Sequence, residues 1–119
     1  MEKIINLGGE PLRFKASAAT VRNYRDFFGR DLLRDMAQVT KDSQAGEITG
    51  EDLEIFENFA YLCRRDAEPE AVPPSVAEWL QSFDMLDIYN ILPELITLWV
   101  HNNKTLETAK KKAGRPREN

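Results

Sequence analysis

Residues 17–40 read SAATVRNYRDFFGRDLLRDMAQVT, and this stretch decides the fold class. Ser17 is a good N-cap for a helix. Apolar residues then recur every three or four positions, as on one face of an amphipathic helix: Val21, Tyr24, Phe28, Leu32, Met36 and Val39. Gly29 interrupts this pattern at a cost of about 1 kcal/mol relative to alanine. Because Asp31 could cap a new helix, residues 18–40 form either one bent helix or two helices.

The residues before this stretch predict a β-hairpin over about residues 3–15. Gly8 and Gly9 suit a tight turn between two segments of β-favouring residues. In the second segment Leu12 and Phe14 alternate with charged residues, as in a strand with one solvated face. Because two strands alone are marginally stable, the apolar face should pack on helices.

Further helices are predicted downstream. The polar run from Thr40 to Gly50 predicts an exposed loop. Thr49 and Asp52 suit the start of a third helix, whose apolar positions cover most of its circumference. Such a helix is central in a bundle or shows a second face to a partner. After a proline-containing linker over residues 67–74, the S-x-x-E capping box of residues 75–78 predicts a short helix.

The last helix contains a proline. Asp84 is predicted to cap it, and Pro93 predicts either a kink near Tyr89 or a restart with Pro93 in the first helical turn. The predicted fold is therefore mainly α: a small bundle of about four to five helices with a short N-terminal β-hairpin. We expect one domain over residues 1–103 and a disordered basic C-terminal tail over residues 104–119.

Charge is unevenly divided along the 119 residues. Residues 1–103 carry 10 basic and 18 acidic side chains, a net charge of −8, and residues 104–119 carry six basic and two acidic ones, a net charge of +4. The acidic part repels nucleic acid, so phosphate binding would fall to the tail alone. The sequence also has no run of about 18 apolar residues, which argues against a membrane. A single Cys63 suits a reducing cytosol.

The residue types needed for catalysis or metal binding are scarce. His101 is the only histidine and Cys63 the only cysteine, so neither a nucleophile with its base nor a structural zinc site is expected. The many carboxylates are predicted to lie at helix caps or on solvated faces, in pairs such as Asp26 with Arg30. We therefore expect no catalytic, cofactor-binding or metal-binding residues, no cofactor and no enzymatic activity.

Two features of the basic tail leave alternatives open. Gly114-Arg115-Pro116 has the composition of peptides that lay arginines into a DNA minor groove. It supports the alternative of a small helical adaptor or nucleic-acid-binding protein that acts through this tail. Lys110-Lys111-Lys112 is encoded by AAA or AAG codons, which can form an A-rich slippery run in the message.

Nearly the whole of residues 1–103 resembles the tail assembly chaperones of long-tailed (siphovirus-type) bacteriophages and prophages. Those proteins begin with a short β-hairpin and a helix of the form Tyr-Arg-x-x-Phe-Gly-Arg-Asp-Leu. Here that form is Tyr24-Arg25, followed by Phe28-Gly29-Arg30-Asp31-Leu32. Three later segments are similar to the family's last helices: Glu57-x-x-Ala60-Tyr61, Val76-x-x-Trp79-Leu80 and ILPELITLW over residues 91–99.

The resemblance implies a non-enzymatic protein that acts in the host cytoplasm. It would coat and solubilise the tape measure protein and help the tail tube polymerise around it. Many members also exist as a longer form made by ribosomal frameshifting, which would recruit the tail tube protein. The Lys110 to Lys112 run lies where such a slip would occur. Coating a long target implies many copies, so we expect a homo-oligomer, as a ring or a spiral.

A tape measure protein is a long amphipathic helix that would aggregate through its apolar stripe, so its chaperone must offer apolar grooves. Helices with surplus apolar surface provide candidates for these contacts. Partner binding is predicted for six residues: Ile55, Phe59, Leu62, Trp79, Phe83 and Trp99.

Overall fold

The computed structural model describes residues 1–100. It confirms the predicted fold class, since the described chain is mainly helical and begins with an antiparallel hairpin. The predicted domain boundary after residue 103, the basic tail over residues 104–119 and His101 all lie outside the described residues.

The predicted hairpin is confirmed. Strand β1 (Glu2–Leu7) pairs with β2 (Glu10–Lys15). Gly8 and Gly9 have φ angles of +62° and +90°, the left-handed values that a two-residue hairpin turn requires. One face of the hairpin is apolar and buried, because strand side chains alternate between the two faces. Its buried residues are Ile5, Leu7 and Phe14.

The stretch after Ser17 forms two helices, which settles the alternative left open by the sequence. Helix α1 (Ala18–Phe28) ends at Gly29, whose φ of +67° is left-handed. Helix α2 (Leu32–Ala45) begins at Asp31, whose carboxylate accepts hydrogen bonds from the next turn's N–H groups. A left-handed Gly29 followed, after Arg30, by the N-cap Asp31 separates the two helices.

The predicted loop from Thr40 to Gly50 is wrong in its first half. Residues 40–45 complete α2, and Gly46 ends the helix with a φ of +71°. The loop itself is confined to residues 46–49. Polarity misled the prediction, because Lys, Gln and Ala favour helix on a solvated face and nothing before Gly46 stops one.

Helix α3 (Gly50–Ala67) lies at the centre of the fold, as its wide apolar arc predicts. Thr49 and Asp52 form a complete capping box at its start: Thr49 Oγ1 accepts from the Asp52 N–H at 3.1 Å, and Asp52 Oδ2 accepts from the Thr49 N–H at 3.0 Å. The hairpin, α1 and α2 all pack on this helix.

The chain after α3 is built from short pieces. A 3₁₀ turn (Pro69–Ala71) lies in the predicted linker and leads to α4 (Val76–Leu80), α5 (Asp87–Asn90) and a last helix, α6, which is described over residues 92–100. Pro93 lies in the first turn of α6, so the restart is confirmed over the kink.

Of the two helix caps predicted here, one is confirmed and the other is wrong. Ser75 caps α4 as predicted, since its Oγ accepts from the Glu78 N–H at 3.2 Å. Asp84 does not cap α5, which corrects the prediction. The N-cap position of α5 is Leu86, and the Asp87 carboxylate instead accepts from the Asp84 N–H.

The buried apolar residues form one cluster to which the hairpin and every helix contribute. Within residues 1–100, no helix has both the length and the apolar character that crossing a bilayer demands.

Candidate interaction surface

The corner between α1 and α2 is held by a buried carboxylate. Tyr24 donates its hydroxyl to Asp35 Oδ2 at 2.8 Å. Arg30 donates to both oxygens of the same carboxylate, from Nε to Oδ2 at 2.7 Å and from Nη2 to Oδ1 at 2.9 Å. The predicted partner of Arg30, Asp26, is wrong: Asp26 faces Arg22 instead, at 3.9 Å. Arg30 pairs with Asp35 rather than with Asp26 because the buried Asp35 carboxylate accepts a bidentate pair of hydrogen bonds from the guanidinium.

These contacts shift the pKa of each group. Burial tends to raise the pKa of Asp35, but the hydrogen bonds from Arg30 and Tyr24 outweigh it and lower that pKa. Burial and the hydrogen bond to Asp35 raise the pKa of Tyr24 above its ordinary value. The corner is therefore an ion pair with a neutral phenol donor, an arrangement that fixes geometry and performs no proton transfer near neutral pH.

The six predicted partner-binding residues lie in or against the core. Phe83 is partly buried, and the other five are buried, with exposed fractions of 0–7%: Ile55, Phe59, Leu62, Trp79 and Trp99. The structure places Trp99 edge-on to Phe59, with ring centroids 5.9 Å apart. This chain itself covers most of the apolar surface of the five buried residues. Of the six, Phe83 is partly exposed and Trp99 lines an open groove between α2 and α6.

A continuous row of aromatic rings connects Phe83 to the first helix. Centroid distances along it are 5.1 Å from Phe83 to Trp79, 5.8 Å from Trp79 to Tyr61, 6.0 Å from Tyr61 to Phe27 and 5.4 Å from Phe27 to Phe28. We call these five rings the aromatic row. Its rings come from α1, α3, α4 and the turn after α4, so contacts distant in sequence build it.

The aromatic row reaches the surface at Phe27. The Phe27 side chain is 43% exposed, whereas Tyr61 and Trp79 beneath it are buried. The Arg65 guanidinium lies over the Phe27 ring, with its carbon 4.8 Å from the centroid, which is cation–π geometry. Aromatic side chains, phenylalanine included, and arginine are enriched at protein–protein interfaces.

Sequence reasoning missed Phe27. The helical stripe of α1 assigned Tyr24 and Phe28 to the core, and Phe27 lies between them off that stripe. The signal in the sequence was two adjacent phenylalanines, since adjacent helical residues point about 100° apart and one of the two lies off a narrow core-facing stripe.

The structure also describes the possible metal ligands and the environment of Cys63. Within residues 1–100, no group of three His, Cys, Asp or Glu side chains is placed to hold a metal ion. Cys63 is fully buried in the core, and this burial raises the pKa of its thiol well above the ordinary value. A buried neutral thiol is a poor nucleophile.

Comparison of the chain with protein-family models, with curated proteins and with solved structures found no match.

Proposed function

We propose that this chain is a tail assembly chaperone of a long-tailed bacteriophage or prophage. It coats and solubilises the tape measure protein in the host cytoplasm, and it aids polymerisation of the tail tube around that protein. The exposed Phe27, where the aromatic row reaches the surface, carries the proposal, because it offers an aromatic contact to the apolar stripe of an amphipathic helix.

The family-like motif supports the same proposal through its structural roles. Tyr24 and Arg30 bind the Asp35 carboxylate, Gly29 ends α1 in the left-handed conformation, and Asp31 caps α2. The motif thus forms the corner that directly follows the Phe27–Phe28 pair at the end of α1. A fixed corner presents Phe27 at a constant angle and lowers the entropic cost of binding.

The charge of the chain favours a solubilising role. Residues 1–100 carry 10 basic and 18 acidic side chains, which sum to −8. Copies arranged along a target would surround it with a negative surface, which opposes aggregation. In this proposal a longer, frameshifted form recruits the tail tube protein, and many copies of the short form coat the tape measure protein.

Co-expression tests the proposal. The chain is expressed with the longest helical protein encoded downstream of it, and the soluble fraction of that protein is measured with and without the chaperone. We expect the wild-type chain to render it soluble. Phe27→Glu should abolish this effect while the variant remains folded, since the position is 43% exposed and lies beside Arg65.

Ile4→Glu is the matched control. Ile4 is 64% exposed and pairs across the hairpin with Arg13, so it places the same charge on a different surface. The control should solubilise the target like the wild type. A target that stays insoluble with the wild-type chain, together with codons at Lys110 to Lys112 that form no slippery run, would contradict the proposal.

A further inference from the structure

Arg65 carries a positive charge directly beside the exposed ring of Phe27. It belongs to the last turn of α3, and the carbon of its guanidinium lies 4.8 Å from the centroid of that ring. Within residues 1–100, Arg65 donates no hydrogen bond and forms no ion pair. A guanidinium over a ring is held there through its charge, so its N–H groups stay available to bind an acceptor.

The preceding arginine uses the same charge differently. Arg64 is only 6% exposed. Its Nη1 donates to the carbonyl of Arg13 at 3.1 Å and to Glu68 Oε1 at 2.7 Å. Arg64 is therefore satisfied by acceptors of its own chain, whereas Arg65 is positioned by an aromatic ring and keeps its charge for an outside group.

A recess with a second cation adjoins Arg65. It has a volume of about 290 Å³ and is lined by Lys15, Ser17, Ala19, Arg65, Asp66 and Pro69. Lys15, the last residue of β2, is exposed and also forms no ion pair within the described part of the chain. Because a cavity of roughly 150 Å³ holds a benzene molecule, the recess has room for an acidic side chain.

One carboxylate lines the same recess. Asp66 accepts a hydrogen bond from Thr20 Oγ1 at 3.3 Å, so it is already engaged with α1. The two cations outnumber it and leave the recess with a net charge of +1, on a described chain whose charges sum to −8. At physiological salt, charges are screened beyond about 8 Å. The local positive charge therefore decides which groups bind here.

The distance between Phe27 and Arg65 suits a helical partner. Side chains three or four positions apart on a helix lie about 5–6 Å from each other, close to the 4.8 Å between the Phe27 centroid and the Arg65 guanidinium. A helix with an apolar side chain against Phe27 therefore places a carboxylate at Arg65 when that carboxylate lies one turn away. Guanidinium and carboxylate groups form strong, often bidentate, hydrogen bonds.

We propose that Arg65 and Lys15 form an acidic-residue subsite beside Phe27. This surface selects an amphipathic helix that carries a glutamate or aspartate one turn from an apolar residue of its stripe. The inference rests on the proposed function, in which Phe27 contacts such a helix. It adds the two residues that determine specificity and the chemistry that they require of the partner.

Synthetic peptides test this selection. Three amphipathic peptides of about 20 residues, long enough to form a helix, share one stripe of leucines. They differ only at the positions one turn from these leucines, which hold glutamate, glutamine or lysine. Binding to the full chain at physiological salt is measured by the fluorescence anisotropy of a labelled peptide. Circular dichroism checks that the three peptides are equally helical.

Three variants change the charge of the subsite, and one serves as a control. Arg65→Gln removes the charge, Arg65→Glu reverses it, and Asp66→Asn removes the opposing carboxylate. Arg25→Glu is the matched control for charge reversal. Arg25 is exposed on α1 two positions before Phe27, so it points about 200° away around the helix.

The wild type and Arg25→Glu should bind the glutamate peptide about fivefold more tightly than the glutamine peptide. Arg65→Gln should lose most of this preference, and Asp66→Asn should strengthen it. Arg65→Glu should prefer the lysine peptide, a reversal that also shows the variant to be folded. Phe27→Ala should weaken the binding of all three peptides, because each of them presents the same apolar stripe.

The subsite would be overturned by a wild type that binds none of the peptides or binds the glutamate and glutamine peptides equally. An Arg65→Glu variant that still prefers glutamate would overturn it as well. A wild type that solubilises the co-expressed target without charge selection among the peptides would remove the subsite and leave the chaperone proposal. Selection as expected with a target that stays insoluble would remove the chaperone proposal alone.

Discussion

Arg30, in the connection between α1 and α2, donates two hydrogen bonds to the carboxylate of Asp35 in α2, at 2.7 Å and 2.9 Å. Tyr24 donates a third bond to the same carboxylate from the preceding helix. The two helices are thereby tied at the point where the chain turns, and the carboxylate needs all three donors because it is buried.

Tyr24→Phe should lower the free energy of unfolding by about 1.5–3 kcal/mol, the range for a hydrogen bond to a charged group. The ring stays in the core, so the loss reports the hydroxyl alone. Urea unfolding monitored by circular dichroism measures the change. Asp26→Asn is the control: Asp26 faces Arg22 at 3.9 Å with both side chains largely exposed, so its effect should be close to zero. Equal effects of the two variants would contradict a structural role for the Tyr24 hydroxyl.

Acid should weaken the corner through Asp35. The pKa of this carboxyl is lower in the folded chain than its ordinary value of 3.8. The stabilisation is therefore fully present above the unfolded pKa and is lost as pH falls through the folded pKa. Unfolding free energies measured from about pH 5 downward should fall more steeply for the wild type than for Asp35→Asn, which has no charge to lose there.

The wild type must be compared with Asp35→Asn because the carboxyl of Asp66 changes stability with pH in the opposite direction. Burial raises the pKa of Asp66 above its ordinary value, so Asp66 favours the folded chain more as it becomes protonated. The difference between wild type and Asp35→Asn cancels this contribution. Identical pH profiles for the two proteins would contradict the assigned ion pair.

Gly29→Ala tests whether the break is set by backbone conformation. Gly29 has a φ of +67°, and a Cβ there would meet nothing within 4 Å, so the cost is conformational only. We expect a loss of about 1–2 kcal/mol. Gly50→Ala is the matched control: Gly50 is the first residue of α3 and also has open space around its Cβ. There alanine should leave stability unchanged or raise it by about 0.4–1 kcal/mol. A destabilised Gly50→Ala with an unaffected Gly29→Ala would reverse this interpretation.

Local signals in the sequence were sufficient for most of the fold. Gly8 and Gly9 marked the hairpin turn, Asp31 and Ser75 marked helix starts, and the wide apolar arc of α3 marked it as central. Each of these depends on residues within a few positions of one another. Asp84 failed as a cap because the turn closed through the Asp87 side chain instead, and two nearby carboxylates give the sequence no basis for choosing.

The candidate interaction surface was less accessible to sequence reasoning. Periodicity identifies apolar residues but gives no sign of which ones the chain itself will cover. Trp79 is buried against Tyr61, which lies 18 positions earlier in the chain, and that contact exists only after α4 has packed on α3. Exposure of Phe27 and Met85 likewise depends on what the rest of the fold leaves uncovered.

Alanine substitutions at Phe59 and Phe27 distinguish a residue that stabilises the core from one that contacts a partner. Phe59 is fully buried beside Trp99, so Phe59→Ala should cost about 3–5 kcal/mol of stability and reduce target solubilisation only by unfolding the chain. Phe27→Ala should cost less, because the ring is already 43% exposed, yet should reduce solubilisation in a chain that remains folded. Thermal unfolding and the co-expression assay are measured on both variants. A Phe59→Ala chain with wild-type stability and no solubilising activity would instead place Phe59 at the contact with the partner.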